Sequence, residues 1–326
     1  ELSQPMQIKG HEVVTSASIG ITLLGSGYAR VVDVVRDADT AMYRAKSEGR
    51  SRYAIFGKDM HIRTMSLLRL EGELRRAIER QEFELHYQPI VDIKSGLIVA
   101  CEALVRWQHP ERGLIYPGEF IQLAEETGLI APLGDWVLRT ACRQARRWEL
   151  EDAPVDMSVN LSARQLHNPG LSDQVADALA ESGLSGTRLR LEVTESAAML
   201  NVELAVRNLY ALSELGVRLV IDDFGKSYSS LGYLKRFPFG GLKIDRSFLH
   251  ELPQNTDDAA ITTAIIAIAK IMGLTVVAEG VETQEQLDFL APLGCDELQG
   301  FLVSRAVTAG ELRIMLNAGR PLLQNA

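Results

Sequence analysis

The sequence predicts an α/β protein built on a TIM-like (β/α)8 barrel with an antiparallel first strand, preceded by a small N-terminal α/β fragment. Two observations lead to the barrel. From Phe83 onward, eight apolar runs of strand length alternate with helical patterns over about 240 residues, a typical barrel size. Six of these runs end in a carboxylate, an amide or a lysine. Such ends are expected where strands converge on one polar site at the mouth of a barrel.

Residues 1–57 are predicted to form a small α/β unit. VVTSASIGITLL alternates like a strand, and DADTAMYRAKSEGRSRYAIF has the pattern of a helix, a glycine-containing break and a final strand. This stretch is too short to build much of a core alone. Residues 58–81 have a helical pattern and are predicted to connect this unit to the barrel, which is assigned residues 82–326.

The elements of the barrel follow in order. The predicted strands are residues 83–92, 98–107, 156–161, 188–194, 218–224, 241–246, 275–280 and 297–303. The predicted helices are residues 117–148, 171–182, 201–215, 256–272 and 283–291. Only DIKSG separates the first two strands, which allows an antiparallel hairpin and is too short for a parallel crossover. An open sheet fits less well, because its ligand would lie at one switch point.

Composition narrows the possible functions. The 326 residues carry a formal net charge of −9, which argues against a nucleic-acid polymer as partner. The most apolar segment, ITTAIIAIAKIMGL, is interrupted by Lys270 and is interpreted as a packed helix, so we expect no membrane contact within this chain. Cys101, Cys142 and Cys295 lack metal-site spacing and are expected to be buried, reduced thiols of a cytoplasmic protein. The chain begins at Glu1 without methionine, so we expect a longer parent protein with an upstream segment that could anchor it to a membrane.

Oxygen-bearing side chains at the strand ends indicate a metal site. Glu102, Asn160, Glu192 and Asp222 are hard donors that favour Mg²⁺, Mn²⁺ or Ca²⁺ over zinc. The adjacent acids Asp222 and Asp223 could serve two ions, a pair that stabilises both oxygens in phosphoester cleavage. Glu279 is available as a further ligand or a proton acceptor, and Lys243 could orient water or offset charge in the transition state. The alternatives are ordinary surface acids or a structural polar network at the barrel mouth.

Two further features lie near this site. Arg106 follows Glu102 by four residues on the same strand face and could clamp a phosphate, although a structural ion pair is the alternative. DFGKSYSSLGYL follows the paired acids and could form a lid or an ordinary turn. None of the six histidines ends a core strand, so a catalytic histidine is not expected.

Nine blocks of sequence resemble the EAL family of cyclic-di-GMP phosphodiesterases. They are YQPIVD, EALVRW, NLSARQL, LEVTES, IDDFG, YSSL, LKIDRSF, VVAEGVET and LGCDELQGF, and they span roughly residues 70–320 in order. The resemblance implies a TIM-like barrel with one antiparallel strand. It also implies hydrolysis of cyclic-di-GMP to linear pGpG with Mg²⁺ or Mn²⁺, inhibition by Ca²⁺, and a homodimer.

The resemblance also implies roles for individual residues. Ligands of the first ion would be Glu102, Asn160, Glu192 and Asp222, and the second ion would lie near Asp222, Asp223 and Glu279. Lys243 would bind the attacking water, and Glu279 would be the general base. Gln88 and Arg106 would contact substrate. Supporting roles fall to Glu195, which would anchor the loop after the aspartates, and to Glu282 and Gln299 beside the base.

The chain departs from the family pattern at three places. Lys226 and Ser227 replace a usual Thr-Gly pair, Gly240 replaces an aspartate, and Ala306 replaces a proline. Only the first departure touches the predicted site, where it would lower catalytic efficiency. An inactive cyclic-di-GMP receptor and a dimerising scaffold with a vestigial site therefore remain alternatives.

Residues 1–57 resemble the end of a GGDEF diguanylate cyclase domain, through VTSASIGI and DADTAMYRAKSEGRSRY. The signature half-site and its nucleotide loop are not in the sequence, so cyclase activity is not expected of this chain.

Overall fold

The structure is a computed structural model that describes residues 6–8, 11–13, 16–23, 28, 30–47, 51–226, 232, 235–319 and 321–323. The chain divides into two compact units, Glu1–Leu74 and Arg75–Ala326. Within the described residues, no helix has both the length and the apolar character needed to span a bilayer.

The first unit contains short strands and a helix, as predicted. Its strands are β1 Met6–Ile8, β2 His11–Val13, β3 Ile19–Ile21 and β4 Tyr53–Ile55, and its helix is α1 Val31–Ser47. β1 and β2 pair antiparallel, whereas β3 and β4 pair parallel. The helix α2 Lys58–Arg80 follows. Gly20 explains the close packing of α1 on β3, because a Cβ there would lie 1.8 Å from the Ala38 carbonyl oxygen.

The second unit is a closed eight-stranded barrel, which confirms the predicted fold. Its strands are β5 Phe83–Asp92, β6 Ile98–His109, β8 Asp156–Leu161, β9 Leu189–Thr194, β10 Arg218–Phe224, β11 Gly241–Ile244, β12 Thr275–Glu279 and β13 Glu297–Gln299. A short strand, β7 Gly113–Ile115, pairs with the outer end of β6. β5 runs antiparallel to both of its neighbours, β6 and β13, and the other barrel neighbours pair parallel. The antiparallel first strand is therefore confirmed.

Helices surround this barrel. They are α3 Ile121–Thr127, α4 Ile130–Leu150, α5 Ala163–Leu166, α6 Leu171–Ser182, α7 Glu195–Leu200, α8 Val202–Glu214, α9 Thr256–Ile271, α10 Gln284–Leu293 and α11 Ala309–Ala318. The single helix predicted over residues 117–148 is wrong, because a 3₁₀ turn precedes α3 and Gly128 separates α3 from α4 at φ +83°. The last strand is shorter than predicted, and α5, α7 and α11 were not predicted.

The interior at the amino-terminal end of the parallel strands is filled by an ion network. Arg190 on β9 donates to both carboxylate oxygens of Glu297 on β13, at 2.6 and 3.1 Å, across the barrel interior. Arg190 and Arg218 also donate to Asp156 Oδ2, at 3.3 and 2.9 Å. The side chains of Arg190 and Asp156 are each 7% exposed. The Arg190, Asp156 and Glu297 part of the network is therefore buried, whereas Arg218 reaches solvent. The predicted site lies towards the opposite end of the same strands.

All three cysteines are buried and free, as predicted. Burial raises the pKa of Cys142 and of Cys295 to about 12 and also raises that of Cys101. These thiols therefore stay protonated near neutral pH and are poor nucleophiles.

Candidate active site at the mouth of the barrel

Each of the eight barrel strands contributes one side chain to a common polar cluster. In strand order from β5, these are Gln88, Glu102, Asn160, Glu192, Asp222, Lys243, Glu279 and Gln299. Strand register aligns them, since Gln88 lies opposite Glu102, Asn160 opposite Glu192, and Glu279 opposite Gln299. The fold thus brings together residues that are far apart in sequence.

The ammonium group of Lys243 lies at the centre of this cluster. Its Nζ is 2.6 Å from Glu192 Oε2 and 3.2 Å from Glu102 Oε2, and it also contacts Glu279 Oε1. The Lys243 side chain is 1% exposed. Because an isolated buried ammonium would be costly, these three carboxylates are what keep it charged.

The charged groups of the cluster, together with burial, shift one another's pKa values. Burial lowers the pKa of Lys243, but the surrounding carboxylates outweigh it and hold that pKa well above its ordinary value. Burial raises the pKa of Glu192 to about 8 and that of Glu279 to about 7, against the opposing effect of Lys243. For Glu102 the opposing groups outweigh burial, and its pKa is lowered by Lys243 and by hydrogen bonds from Gln299 and Asn160. Glu279 therefore ionises near neutral pH, as a proton acceptor requires.

Both oxygens of Glu102 are held by neighbours. Asn160 Nδ2 donates to Oε1 at 2.6 Å, and Gln299 Nε2 donates to Oε2 at 2.7 Å. Gln299 Nε2 also donates to Gln88 Oε1 at 2.9 Å, and Gln88 Nε2 donates to the Ser304 carbonyl at 3.1 Å. The structure therefore places Gln88 and Gln299 beside Glu102 in one hydrogen-bonded row.

Sequence reasoning missed Ser158, whose hydroxyl donates to Glu192 Oε1. Ser158 is fully buried and lies two residues before Asn160 on β8, so both side chains share a strand face. The two-residue spacing between Ser158 and Asn160 was the sequence signal that could have identified Ser158. Ser158 fixes the oxygen of Glu192 that Lys243 does not contact.

The two adjacent aspartates have different surroundings. Asp222 is half-buried, and burial together with the charge of Glu102 raises its pKa despite Lys243. Its Oδ1 accepts the backbone N–H of Asp223 at 2.8 Å. Asp223 adopts φ +54°, and its Oδ1 lies 2.8 Å from Lys226 Nζ. The pair is thus divided between the central cluster and the start of the following loop.

Lys226 also contacts Asp245, a second residue that was not assigned to the site. Lys226 Nζ lies 2.8 Å from Asp245 Oδ2, and Asp245 Oδ1 accepts the Ser247 N–H at 2.8 Å. Burial opposes ionisation of Asp245, but the hydrogen bonds with Lys226 and Ser247 outweigh it and lower its pKa to about 2. Residues 227–231 and 233–234, which include Ser227 and most of the predicted lid, lie outside the described part of the chain.

The other predicted supporting residues differ in position. Glu195 is 1% exposed, and its Oε2 accepts the Gly225 N–H at 3.3 Å, which ties α7 to the start of the loop. Glu282 is exposed, and its backbone N–H donates to Gln286 Oε1 at 2.7 Å. The structure therefore brings Glu195 to the loop and leaves the Glu282 side chain facing solvent.

Arg106 is buried with capacity for another hydrogen bond. It is 6% exposed, its guanidinium lies 5.0 Å from the centre of the Tyr116 ring, and its Nη1 donates to the Val105 carbonyl at 2.9 Å. Its buried Nε has no hydrogen-bond partner among the described residues. Burial lowers its pKa, partly offset by Tyr116 and Glu102. No carboxylate of the described residues forms an ion pair with Arg106, so the alternative of a structural ion pair is not supported.

The donor chemistry fits divalent cations. Four carboxylates, from Glu102, Glu192, Asp222 and Glu279, surround the single ammonium of Lys243, so negative charge is in excess. Oxygen donors of this kind suit Mg²⁺ or Mn²⁺. In the described part of the chain, no three acids, histidines or cysteines are already spaced as a ligand set; the carboxylates converge on Lys243 instead. Short side-chain rotations towards an ion would be needed.

Comparison with known proteins defines the class of this chain. Residues 71–306 match the profile of the EAL domain, and residues 1–52 match the profile described as "Diguanylate cyclase, GGDEF domain". The chain belongs to the EAL domain family, and the predicted resemblances are confirmed.

Individual relatives and a solved structure agree with this assignment. The chain is 49% identical over 314 residues to the bifunctional diguanylate cyclase/cyclic di-GMP phosphodiesterase MucR of Pseudomonas aeruginosa, covering 95% of this chain and 46% of MucR. It is 42% identical over 321 residues to the cyclic di-GMP phosphodiesterase NbdA of the same organism, covering 98% of this chain and 41% of NbdA. The structure titled "PaMucR Phosphodiesterase, c-di-GMP complex" matches with a TM-score of 0.72 and 50% identity, over 76% of this chain and 99% of that chain. The chain thus spans less than half the length of these two curated relatives.

Proposed function

We propose that this chain is a metal-dependent phosphodiesterase that hydrolyses cyclic-di-GMP to linear pGpG in bacterial second-messenger signalling. The observation that carries the proposal is the convergence of Glu102, Glu192 and Glu279 on Lys243, with Asn160 on Glu102, at one end of an EAL barrel. The choice of cyclic-di-GMP as substrate is supported by relatives that are named cyclic di-GMP phosphodiesterases.

The expected cofactors are two Mg²⁺ or Mn²⁺ ions, with Ca²⁺ as an inhibitor. Glu102, Asn160, Glu192 and Asp222 would hold one ion, and Asp222, Asp223 and Glu279 would hold the other. Bound there, the ions would lower the pKa of water and stabilise the attacking and leaving oxygens.

The chain's own residues would position substrate and move the proton. Water attacks one phosphorus, the bond from that phosphorus to the 3′-oxygen breaks, and Glu279 takes the proton from the water. The 3′-oxygen takes up a proton from solvent and leaves as the 3′-hydroxyl of pGpG. Lys243 would orient that water, and its contact with Glu279 supports this role. Arg106 would donate from its guanidinium to a phosphate oxygen, and Gln88, at the end of the hydrogen-bonded row, would contact substrate.

The remaining predicted residues, Glu195, Gln299 and Glu282, would position other groups rather than take part in the reaction. Glu195 would hold the loop after Asp223 through Gly225, and Gln299 would hold Glu102 in place. Glu282 would have to turn inward to assist Glu279, because its side chain is exposed here.

A second candidate function is a receptor that binds cyclic-di-GMP without cleaving it. The contact of Lys226 with Asp223 favours this candidate, because it occupies a carboxylate assigned to the second ion. The retention of all the other acids favours the enzyme.

One experiment separates the candidates. The chain is incubated with cyclic-di-GMP and Mg²⁺ or Mn²⁺, and the products are resolved by chromatography. The proposal expects pGpG, none with EDTA, and less when Ca²⁺ replaces Mg²⁺. Tight nucleotide binding without pGpG would establish the receptor, and no nucleotide binding would point to a scaffold.

The organisation of the chain is also proposed. Residues 1–57 would be a GGDEF remnant without cyclase activity, residues 58–81 a connector and residues 82–326 the catalytic barrel. The expected assembly is a cytoplasmic homodimer, which light scattering of the purified chain would test; a monomer at micromolar concentration would contradict it.

A further inference from the structure

Lys226 links the second predicted metal position to a neighbouring strand. Its Nζ lies 2.8 Å from Asp223 Oδ1 and 2.8 Å from Asp245 Oδ2. Asp223 is near the end of β10, and Asp245 directly follows β11. One ammonium therefore joins two carboxylates from adjacent strands.

Asp245 fixes the lysine in this place. The Asp245 side chain is only 5% exposed, whereas those of Asp223 and Lys226 are 40% and 47% exposed. A carboxylate this buried needs a cationic partner, so withdrawal of the lysine would leave an unpaired charge. The lysine is thus held beside Asp223 by a second carboxylate that is more buried than Asp223 itself.

We propose that the Lys226 ammonium is a built-in competitor of the second divalent ion, which lowers the affinity of this chain for an ion at Asp223 and leaves the first ion unaffected. The inference rests on the proposed function, because it presupposes that the acids bind two ions. It explains what a lysine does at a position where threonine is usual in the resembling family.

The electrostatics favour a large effect. A divalent ion on Asp223 would share a carboxylate with a positive charge and would be repelled by it. Between like charges about 4 Å apart near a protein surface, even a small part of this repulsion changes affinity about tenfold. The first ion position uses Glu102, Asn160, Glu192 and Asp222. Among the described residues, the ion pairs of Lys226 are with Asp223 and Asp245 and not with these four.

The test is a Mn²⁺ titration of the full chain without substrate. Calorimetry gives the two dissociation constants, and electron paramagnetic resonance detects the spin-coupled signal of a Mn²⁺ pair. In Lys226→Thr the weaker constant is expected to fall about tenfold or more, with the coupled signal at lower Mn²⁺. Lys226→Arg keeps the charge and is expected to match the parent. Lys235→Thr, which removes an exposed lysine from the same connection between β10 and β11, is expected to change nothing.

A second comparison avoids an unpaired buried carboxylate. Asp245→Asn removes the buried charge but retains an oxygen for the Ser247 N–H. The double variant Asp245→Asn, Lys226→Thr is expected to bind the second Mn²⁺ about tenfold more tightly than Asp245→Asn does.

Two results would overturn this inference without affecting the proposed function. One is a weaker dissociation constant that Lys226→Thr leaves unchanged in both the parent chain and Asp245→Asn. The other is an equal tightening in Lys235→Thr. If neither the parent chain nor Lys226→Thr binds any Mn²⁺, the metal-dependent function fails together with it.

Discussion

Lys243 Nζ and Glu192 Oε2 lie 2.6 Å apart, and each side chain is 1% exposed. The pair joins β11 to β9 inside the barrel, and Ser158 holds the other oxygen of Glu192. Both oxygens of Glu192 are therefore held by neighbouring side chains rather than by solvent.

The first prediction concerns the pH dependence of stability in metal-free protein. Unfolded Glu192 loses its proton near its ordinary pKa of 4.5, whereas burial raises the folded pKa to about 8. Between these values the folded state binds more protons, so the free energy of unfolding falls as pH rises, by up to about 1.4 kcal/mol per pH unit for each such carboxyl. We expect the melting temperature to decline from pH 5 to pH 8, and the Glu192→Gln variant to decline less.

Tryptophan fluorescence is the appropriate measurement, because all three tryptophans, Trp107, Trp136 and Trp148, lie in the barrel. Identical slopes in the parent and in Glu192→Gln would show that Glu192 is not the group responsible. Added Mn²⁺ should stabilise more at pH 8 than at pH 5, because protons compete for its ligands.

The second prediction concerns the acids of the first ion position. Glu102→Ala or Asp222→Asn should lower the rate of pGpG release by about a thousandfold or more, since each removes a charged oxygen ligand. Folding should be little changed, as monitored by circular dichroism. Glu126→Gln, at an exposed position on α3, is the control and should retain full activity. Substantial turnover in either variant would contradict the metal assignment.

The third prediction concerns Arg106. Arg106→Met should raise KM for cyclic-di-GMP by about ten- to a hundredfold, because the proposed contact between its guanidinium and a substrate phosphate would be lost. Arg143→Met removes an exposed arginine from α4 and should leave KM unchanged. A loss of melting temperature in Arg106→Met without any change in KM would instead identify a structural residue.

The fourth prediction concerns Gly240. A Cβ at Gly240 would meet nothing within 4 Å, and the residue lines a cavity of about 50 Å³ together with Arg190, Arg218, Thr275 and Glu297, among others. Gly240→Asp should raise stability by about 1 kcal/mol, or a few degrees in melting temperature, through contact with these arginines. Gly240→Asn restricts the backbone as Gly240→Asp does but adds no charge, so it measures the effect of the lost backbone freedom alone. If both variants melt at the same temperature, the charge contributes nothing.

The strands could be predicted closely because each is a buried apolar run with a polar residue after it. Residues 83–92, 156–161 and 218–224 were predicted with the bounds that the structure shows. The helical region from residue 117 was less predictable, because apolar periodicity continues through Gly128 while the backbone turns left-handed there. The spacing of apolar residues shows which face of a helix is buried, but it does not show that a single residue such as Gly128 breaks the helix.

The composition of the site was predictable and its internal contacts were not. Glu102, Asn160 and Glu192 were identified because carboxylates and amides at strand ends have a known chemistry. That Lys243 would contact three carboxylates depends on side-chain reach across the barrel, which no sequence spacing encodes. The contact between Lys226 and Asp245 likewise depends on how β10 and β11 lie side by side.

The ion pair of Arg190 and Glu297 joins strands on opposite sides of the barrel, and with Asp156 it fills the interior at the amino-terminal end of the parallel strands. In the proposed enzyme, ions, dinucleotide and product would therefore all use the end of the barrel where Glu102 and Glu279 lie. A product that stayed bound there would exclude the next substrate, so slow product release would limit turnover.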